Sequence, residues 1–63
     1  MLDDIGSVLA GPDIVTPDLA LEVYRFYRWF DVTPKGPKYL VVMAKMTATD
    51  AWVLTAWLTD RVR

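Results

Sequence analysis

The sequence contains no cysteine and no histidine among its 63 residues. Without cysteine, the chain can form neither a disulfide nor a thiolate metal site. Without histidine, it lacks the commonest zinc ligand and the side chain best suited to proton transfer near neutral pH. The single serine, Ser7, therefore has no histidine to activate it, and Gly36 stands alone rather than in a glycine-rich phosphate loop. We expect no metal, no cofactor, no small-molecule substrate and no enzymatic activity.

The chain is also short for a self-sufficient core. A domain of this length buries only about 60% of its unfolded surface, so the hydrophobic gain and the loss of conformational entropy nearly cancel. With 54% apolar and 24% charged residues, the sequence is nonetheless typical of a folded protein. We therefore expect a single small helical domain over residues 1–63, helped by a partner, by self-association or by well-packed helices.

Charge is distributed unevenly, although the net charge is only −1. Residues 1–24 contain five acids and no base, whereas residues 25–45 contain five bases and one acid. The two segments can attract each other within one fold, or the basic segment can face an acidic protein, nucleic acid or phospholipid. The acidic start, Asp3-Asp4, differs from the basic region that opens a secretory signal, so the expected location is the cytoplasm.

Hydrophobic periodicity predicts an all-α fold of three to four short helices. The clearest helix begins at Pro17 after a Thr16 cap. Its apolar stripe recurs at i, i+4, i+7 and i+11 and consists of Leu19, Val23, Phe26 and Phe30. A shorter stripe before Gly11 consists of Leu2, Ile5, Val8 and Leu9. The predicted helices cover residues 2–10, 17–30, 37–46 and 48–62, and the last two are either separate or one long helix.

Residues 38–46 fit either a helix or a strand. As a strand they are apolar on both faces, which requires a central position in a sheet. No other segment resembles the neighbouring strands that this position needs, and a lone strand is unstable. We therefore favour a helix that begins at Pro37.

The helix predicted over residues 48–62 has more apolar residues than one stripe can hold. Its core stripe consists of Ala51, Leu54, Leu58 and Val62. The apolar residues outside that stripe are Trp52, Val53, Ala56 and Trp57. A helix that is apolar nearly all round is normally buried from several directions, which this chain is too short to achieve alone.

These residues predict a small non-catalytic interaction protein: an accessory subunit, inhibitor or adaptor that docks an aromatic helix surface onto a larger protein or, as an oligomer, onto itself. Tryptophan, tyrosine and arginine are the residues most often found at binding hot spots. The candidate partner-binding residues are Trp52, Val53, Ala56 and Trp57, followed by Leu21 and Trp29. A basic rim for an acidic partner consists of Arg25, Arg28, Lys35, Lys38 and Lys45.

Two other function classes remain open. Helices over 37–46 and 48–62 could form a nucleic-acid-binding helix-turn-helix, and the run from Tyr24 to Phe30 interleaves aromatics with arginines, as single-strand binders do. On a helix, however, Phe26 and Phe30 would point away from the arginines. Residues 39–58 are long enough to span a membrane as one subunit of a complex, or a helix carrying Trp29 could lie on the surface, although central charges oppose a span.

Overall fold

Aromatic and β-branched residues fill three segments of the chain, and this composition favours strands. The structure is a computed structural model that describes the backbone of residues 2–62 and the side chains of residues 4–62. One helix, α1 (Leu2–Ala10), precedes the strands β1 (Ile14–Pro17), β2 (Val23–Phe30), β3 (Lys38–Met46) and β4 (Ala51–Thr59). The strands form one antiparallel sheet in sequence order, so β1 and β4 are its edges.

The all-α prediction is therefore wrong, and only the helix over residues 2–10 is found where it was expected. The predicted helix over 17–30 is instead the end of β1, a turn and β2. The apparent helical stripe misled because Phe26 and Phe30 are four residues apart, a spacing that places two side chains on one face of a strand as well as of a helix. Leu19, which completed the stripe, is fully exposed in the turn.

The helices predicted over 37–46 and 48–62, whether separate or continuous, are also wrong, because these segments form β3 and β4. β3 occupies the central position that its two apolar faces require, between β2 and β4. Neither a helix-turn-helix nor a helical span over 39–58 exists, and no helix within residues 2–62 is long and apolar enough to cross a membrane. The aromatic surface consequently lies on a sheet rather than on a helix.

The core lies between α1 and one face of the sheet. Val8, Leu40 and Val42 are fully buried there. Partly buried residues pack around them: Ile5, Phe26, Phe30, Ala56 and Leu58. Of the predicted stripe in α1, Leu9 is instead exposed, and the side chain of Leu2 lies outside the described residues. Because α1 contacts β2 and β3, it covers the middle of the sheet and leaves the start of β4 exposed.

Arg28 joins the end of α1 to the sheet. Its Nη1 donates hydrogen bonds to the carbonyl oxygens of Ser7, at 3.3 Å, and Gly11, at 3.1 Å. The Gly11 N–H itself closes the last turn by donating to the same Ser7 oxygen. A cation beside the last carbonyl groups of a helix also stabilises the negative end of its dipole. The guanidinium therefore holds α1 against β2.

Candidate functional site

The face of the sheet opposite α1 has no helix or strand packed on it within residues 2–62, and we call it the open face. β2 and β3 place their odd-numbered residues on this face, because the core residues Leu40 and Val42 occupy the other. Its central residues are Arg25, Tyr27, Trp29, Tyr39, Val41, Met43, Lys45, Trp52, Thr55, Trp57 and Thr59. An aromatic and basic surface therefore covers the side of the sheet opposite α1, and Val23, Tyr27 and Val41 are buried within it.

A β-bulge brings two tryptophans of β4 onto the open face. Trp52 and Trp57 are five residues apart, and in a regular strand this odd spacing would place them on opposite faces. The register shifts between Met43 and Ala44, so that Leu54 has no partner on β3. Trp52 then lies opposite Lys45, and Trp57 lies opposite Val41. Both indoles consequently share the face of Tyr27 and Tyr39.

Aromatic rings contact one another across β2 and β3. The Trp29 and Tyr39 rings meet edge to face with their centroids 5.0 Å apart, and Tyr39 meets Tyr27 in the same way at 6.1 Å. The Trp29 indole Nε1 donates to the Asp31 carboxylate at 2.9 Å. Tyr27 is buried, whereas Trp29 remains 40% exposed. The rings of Tyr27 and Tyr39 thus support the ring of Trp29, and the three form a fixed aromatic surface that faces water.

A depression of about 460 Å³ lies on the open face beside these aromatic rings. It is lined by Arg25, Tyr27, Met43, Trp57, Thr59 and Arg61. Two arginines and no carboxylate therefore contribute to its wall. Further along the face, the Lys45 ammonium lies 5.8 Å from the centre of the Trp52 ring, within range of a cation–π interaction. Positive groups consequently flank both tryptophans of β4.

Asp18 holds the guanidinium of Arg25 at the edge of the open face. The carboxylate accepts a hydrogen bond from Arg25 Nη2 through one oxygen and from the Ala20 N–H, at 3.1 Å, through the other. These bonds lower the pKa of Asp18, with the Ala20 N–H as the larger cause and Arg25 as the next. The pKa of Arg25 is raised in turn, chiefly by its hydrogen bond to Asp18. Both groups are therefore charged at neutral pH, and the Arg25 guanidinium is held in a fixed position.

The predicted partner-binding residues do not all lie on one surface. Trp29, Trp52 and Trp57 share the open face. Val53 and Ala56 lie on the helix side of β4, opposite Ala44 and Val42, and Leu21 is exposed in the turn before β2. Three tryptophans from different parts of the sequence thus share one face, and the apolar neighbours expected to join them do not lie on it.

The predicted basic rim is divided in the same way. Arg25 and Lys45 lie on the open face. Arg28 contacts α1, and Lys38 pairs across the helix side with Asp60, where Nζ and Oδ2 are 3.8 Å apart. Lys35 lies in the turn between β2 and β3. Only two of the five bases therefore contribute to the aromatic surface.

Among the aromatic and charged residues of this surface, sequence reasoning missed Tyr27, Tyr39 and Arg61. The signal for Tyr27 was present, because Arg25, Tyr27 and Trp29 alternate with the core residues Phe26 and Phe30 at the period of a strand. Tyr39 and Arg61 could not have been added from spacing alone, since they depend on strand pairing and on the bulge.

We compared the chain with protein-family models, with curated proteins and with solved structures. None of them matches it. Only the geometry and the chemistry of its own residues therefore bear on its function.

Proposed function

We propose that this chain is a non-catalytic module that binds single-stranded nucleic acid through the open face. The observation that carries the proposal is the depression in which Arg25 and Arg61 lie beside the indole of Trp57. Single-strand binders combine cationic groups that follow the phosphates with aromatic rings on which the bases stack. We propose the cytoplasm as the compartment in which the module acts.

Exposed aromatic surface supports the stacking half of this function. Trp29, Trp52 and Trp57 are 40%, 46% and 37% exposed, although large apolar side chains gain most when they are covered. They come from β2 and from both ends of β4, so that together they extend across the sheet. Each base that stacks on such a ring contributes about 1–3 kcal/mol, whatever its sequence. The surface therefore suits unpaired bases better than a duplex, whose bases are already stacked.

The distribution of charge supports the phosphate-binding half. The chain as a whole carries a net charge of −1, yet Arg25, Lys45 and Arg61 all lie on or beside the open face. Arg61 Nε lies 3.9 Å from Asp60 Oδ1, but this pair is exposed and weak, so the 72% exposed Arg61 side chain can turn toward a phosphate. Arg25 is oriented by Asp18, so a phosphate would meet a guanidinium that is already in place. A polyanion would consequently be attracted to the open face by these three basic side chains, although the net charge of the chain is negative.

Fluorescence anisotropy with labelled oligonucleotides tests the proposal. We expect single-stranded deoxythymidine and uridine oligomers to bind more tightly than a hairpin duplex, with affinity falling as salt rises by a slope of about −0.7 per phosphate neutralised. Trp57→Leu should weaken single-strand binding by roughly 5- to 150-fold, which corresponds to the loss of one stacked base. Arg61→Ser should weaken binding and reduce the salt slope by about 0.7.

Lys35→Ser is the matched control, because it removes one positive charge from a turn outside the open face. It should leave both the affinity and the salt slope nearly unchanged. Circular dichroism confirms that each variant is folded. The proposal is wrong if no oligomer binds at the highest soluble concentration, if the duplex binds as well as the single strand, or if Lys35→Ser weakens binding as much as Arg61→Ser. Docking onto another protein would instead leave the oligonucleotides unbound.

A further inference from the structure

The two edges of the sheet differ in how well they are protected against pairing with another strand. β1 has four residues, ends at Pro17, which has no N–H to donate, and is flanked by Asp13 and Asp18. Short edge strands, prolines and charges are the usual features that prevent edge-to-edge association. β4 has nine residues, with no proline and no charged side chain from Ala51 to Thr59. One edge is therefore protected and the other is not.

Exposed apolar side chains accompany the unprotected edge. Residues 51–55 of β4 are all exposed, and Val53 and Leu54 remain 41% and 48% exposed. Val53 lies on the side of the sheet that α1 covers, yet α1 makes most of its contacts with β2 and β3. The side chain therefore lies beside the core without being covered by it. A further strand along β4 would bury it and would pair the outward N–H and C=O groups of the edge.

From these features we infer that β4 pairs antiparallel with β4 of a second copy, which gives a two-fold dimer with one eight-stranded sheet. A strand that pairs with its own copy must be self-complementary. Because residues 51–59 carry no charge, no like charges meet within the paired strands. Antiparallel pairing also places Asp50, just before the strand, near Arg61, just after it, and two-fold symmetry repeats this contact of opposite charges.

The charges at the ends of β4 also favour a second copy over an arbitrary strand. Asp60 already pairs with Lys38 in its own chain at 3.8 Å. The Arg61 side chain is 72% exposed, and its Nε lies 3.9 Å from Oδ1 of the same Asp60, so the Asp60 carboxylate is shared between Lys38 and Arg61. A second copy supplies Asp50 at the matching end, whereas an unrelated strand would have to supply a carboxylate by coincidence. Pairing through β4 leaves only the protected β1 edges outermost, so the assembly stops at two copies.

Size-exclusion chromatography with light scattering, on the whole chain over a wide concentration range and without nucleic acid, tests the dimer. We expect a discrete dimer that Val53→Lys converts to a monomer, because it places a charge opposite the partner strand near the two-fold axis. Val15→Lys is the matched control: Val15 is an exposed valine on the same side of the sheet, but on the β1 edge. It should leave the dimer intact.

A charge exchange provides a second, independent variant in case Val53→Lys fails to fold. Asp50→Arg should weaken the dimer by severalfold in its dissociation constant, and the double variant Asp50→Arg with Arg61→Asp should restore it. A chain that stays monomeric at the highest concentration overturns the inference. So does a species larger than two copies, or a dimer that is indifferent to both Val53→Lys and Asp50→Arg. These outcomes are independent of whether the open face binds nucleic acid.

Discussion

The positions of Arg25 and Arg28 along β2 decide which face of the sheet each side chain occupies. They are three residues apart on β2, so their side chains leave opposite faces of the sheet. Arg25 meets Asp18 at the open face, whereas Arg28 donates to two carbonyl groups at the end of α1. The same type of side chain therefore lies at the proposed binding surface in one case and holds a helix against the sheet in the other.

Replacement of Arg28 by methionine should destabilise the fold. Arg28→Met keeps most of the aliphatic stem but removes both hydrogen bonds to the carbonyl oxygens of Ser7 and Gly11. Because hydrogen bonds from a charged donor contribute about 1.5–3 kcal/mol, we expect the free energy of unfolding to fall by a comparable amount. Urea denaturation measures it, with Lys35→Met as a control for the loss of an exposed charge. Equal midpoints for the two variants would refute the role given to Arg28.

The ion pair of Asp18 with Arg25 should make the stability of the fold depend on pH in the acidic range. The pKa of Asp18 is lower in the folded chain than in the unfolded chain, so its contribution is fully present above the unfolded value of about 3.9 and disappears as the pH falls through the lower, folded value. We expect the urea midpoint of the native chain to fall more steeply below about pH 4 than that of Asp18→Asn. Glu22→Gln, which neutralises an exposed carboxylate in the turn before β2, controls for the change of charge.

At the scale of elements, the turns set the register that the strands alone leave open. Between β2 and β3, Gly36 adopts a φ of +85°, and the Thr33 hydroxyl donates to the Gly36 carbonyl oxygen. Between β3 and β4, the Thr47 hydroxyl oxygen accepts from the Asp50 N–H at 3.0 Å and donates to the Asp50 carbonyl oxygen at 3.1 Å. Each hairpin is thereby fixed by a threonine at the start of its turn.

Two glycines should respond in opposite directions to the same substitution. Gly6→Ala should stabilise the fold by roughly 0.5–1 kcal/mol, because Gly6 lies inside α1 and an added Cβ meets no atom within 4 Å. Gly36→Ala should destabilise it by about 1–2 kcal/mol, since alanine is strained at a positive φ. Thermal denaturation followed by circular dichroism compares the two. Shifts of the same sign would contradict the assigned backbone conformations.

The elements also explain which predictions from the sequence failed. Phe26 and Phe30, like Leu54 and Leu58, are four residues apart, and that spacing cannot distinguish a period of 3.6 from a period of 2. A strand over residues 38–46 requires neighbouring strands, and the helical spacing of the flanking segments indicates none. The three strands β2, β3 and β4 depend on one another, since each is stable only beside the others. α1 could be predicted because its contacts with the sheet follow from a local helical pattern.

At the scale of the whole molecule, the candidate site was harder to predict than the fold. The three tryptophans could be singled out as an unusual surface, yet Trp52 and Trp57 reach one face only because of the bulge at Leu54. Val53 and Ala56 were grouped with them on helical spacing and lie on the other face. Strand pairing, which no single segment encodes, decides which side chains meet. The expected attraction between the acidic and basic segments is seen in the contact of Asp18 with Arg25.

The order of the strands determines how the chain can fold. Every strand pairs with the next one along the sequence, so each hairpin closes a short loop, and no pairing must wait for distant parts of the chain to meet. Such local topology favours rapid folding for a sheet protein. The β2–β3 hairpin carries most of the buried side chains and can form early. β4, paired on one side only, can then detach from a folded remainder by local opening, which uncovers the edge of β3; pairing of β4 with a second copy would oppose this opening.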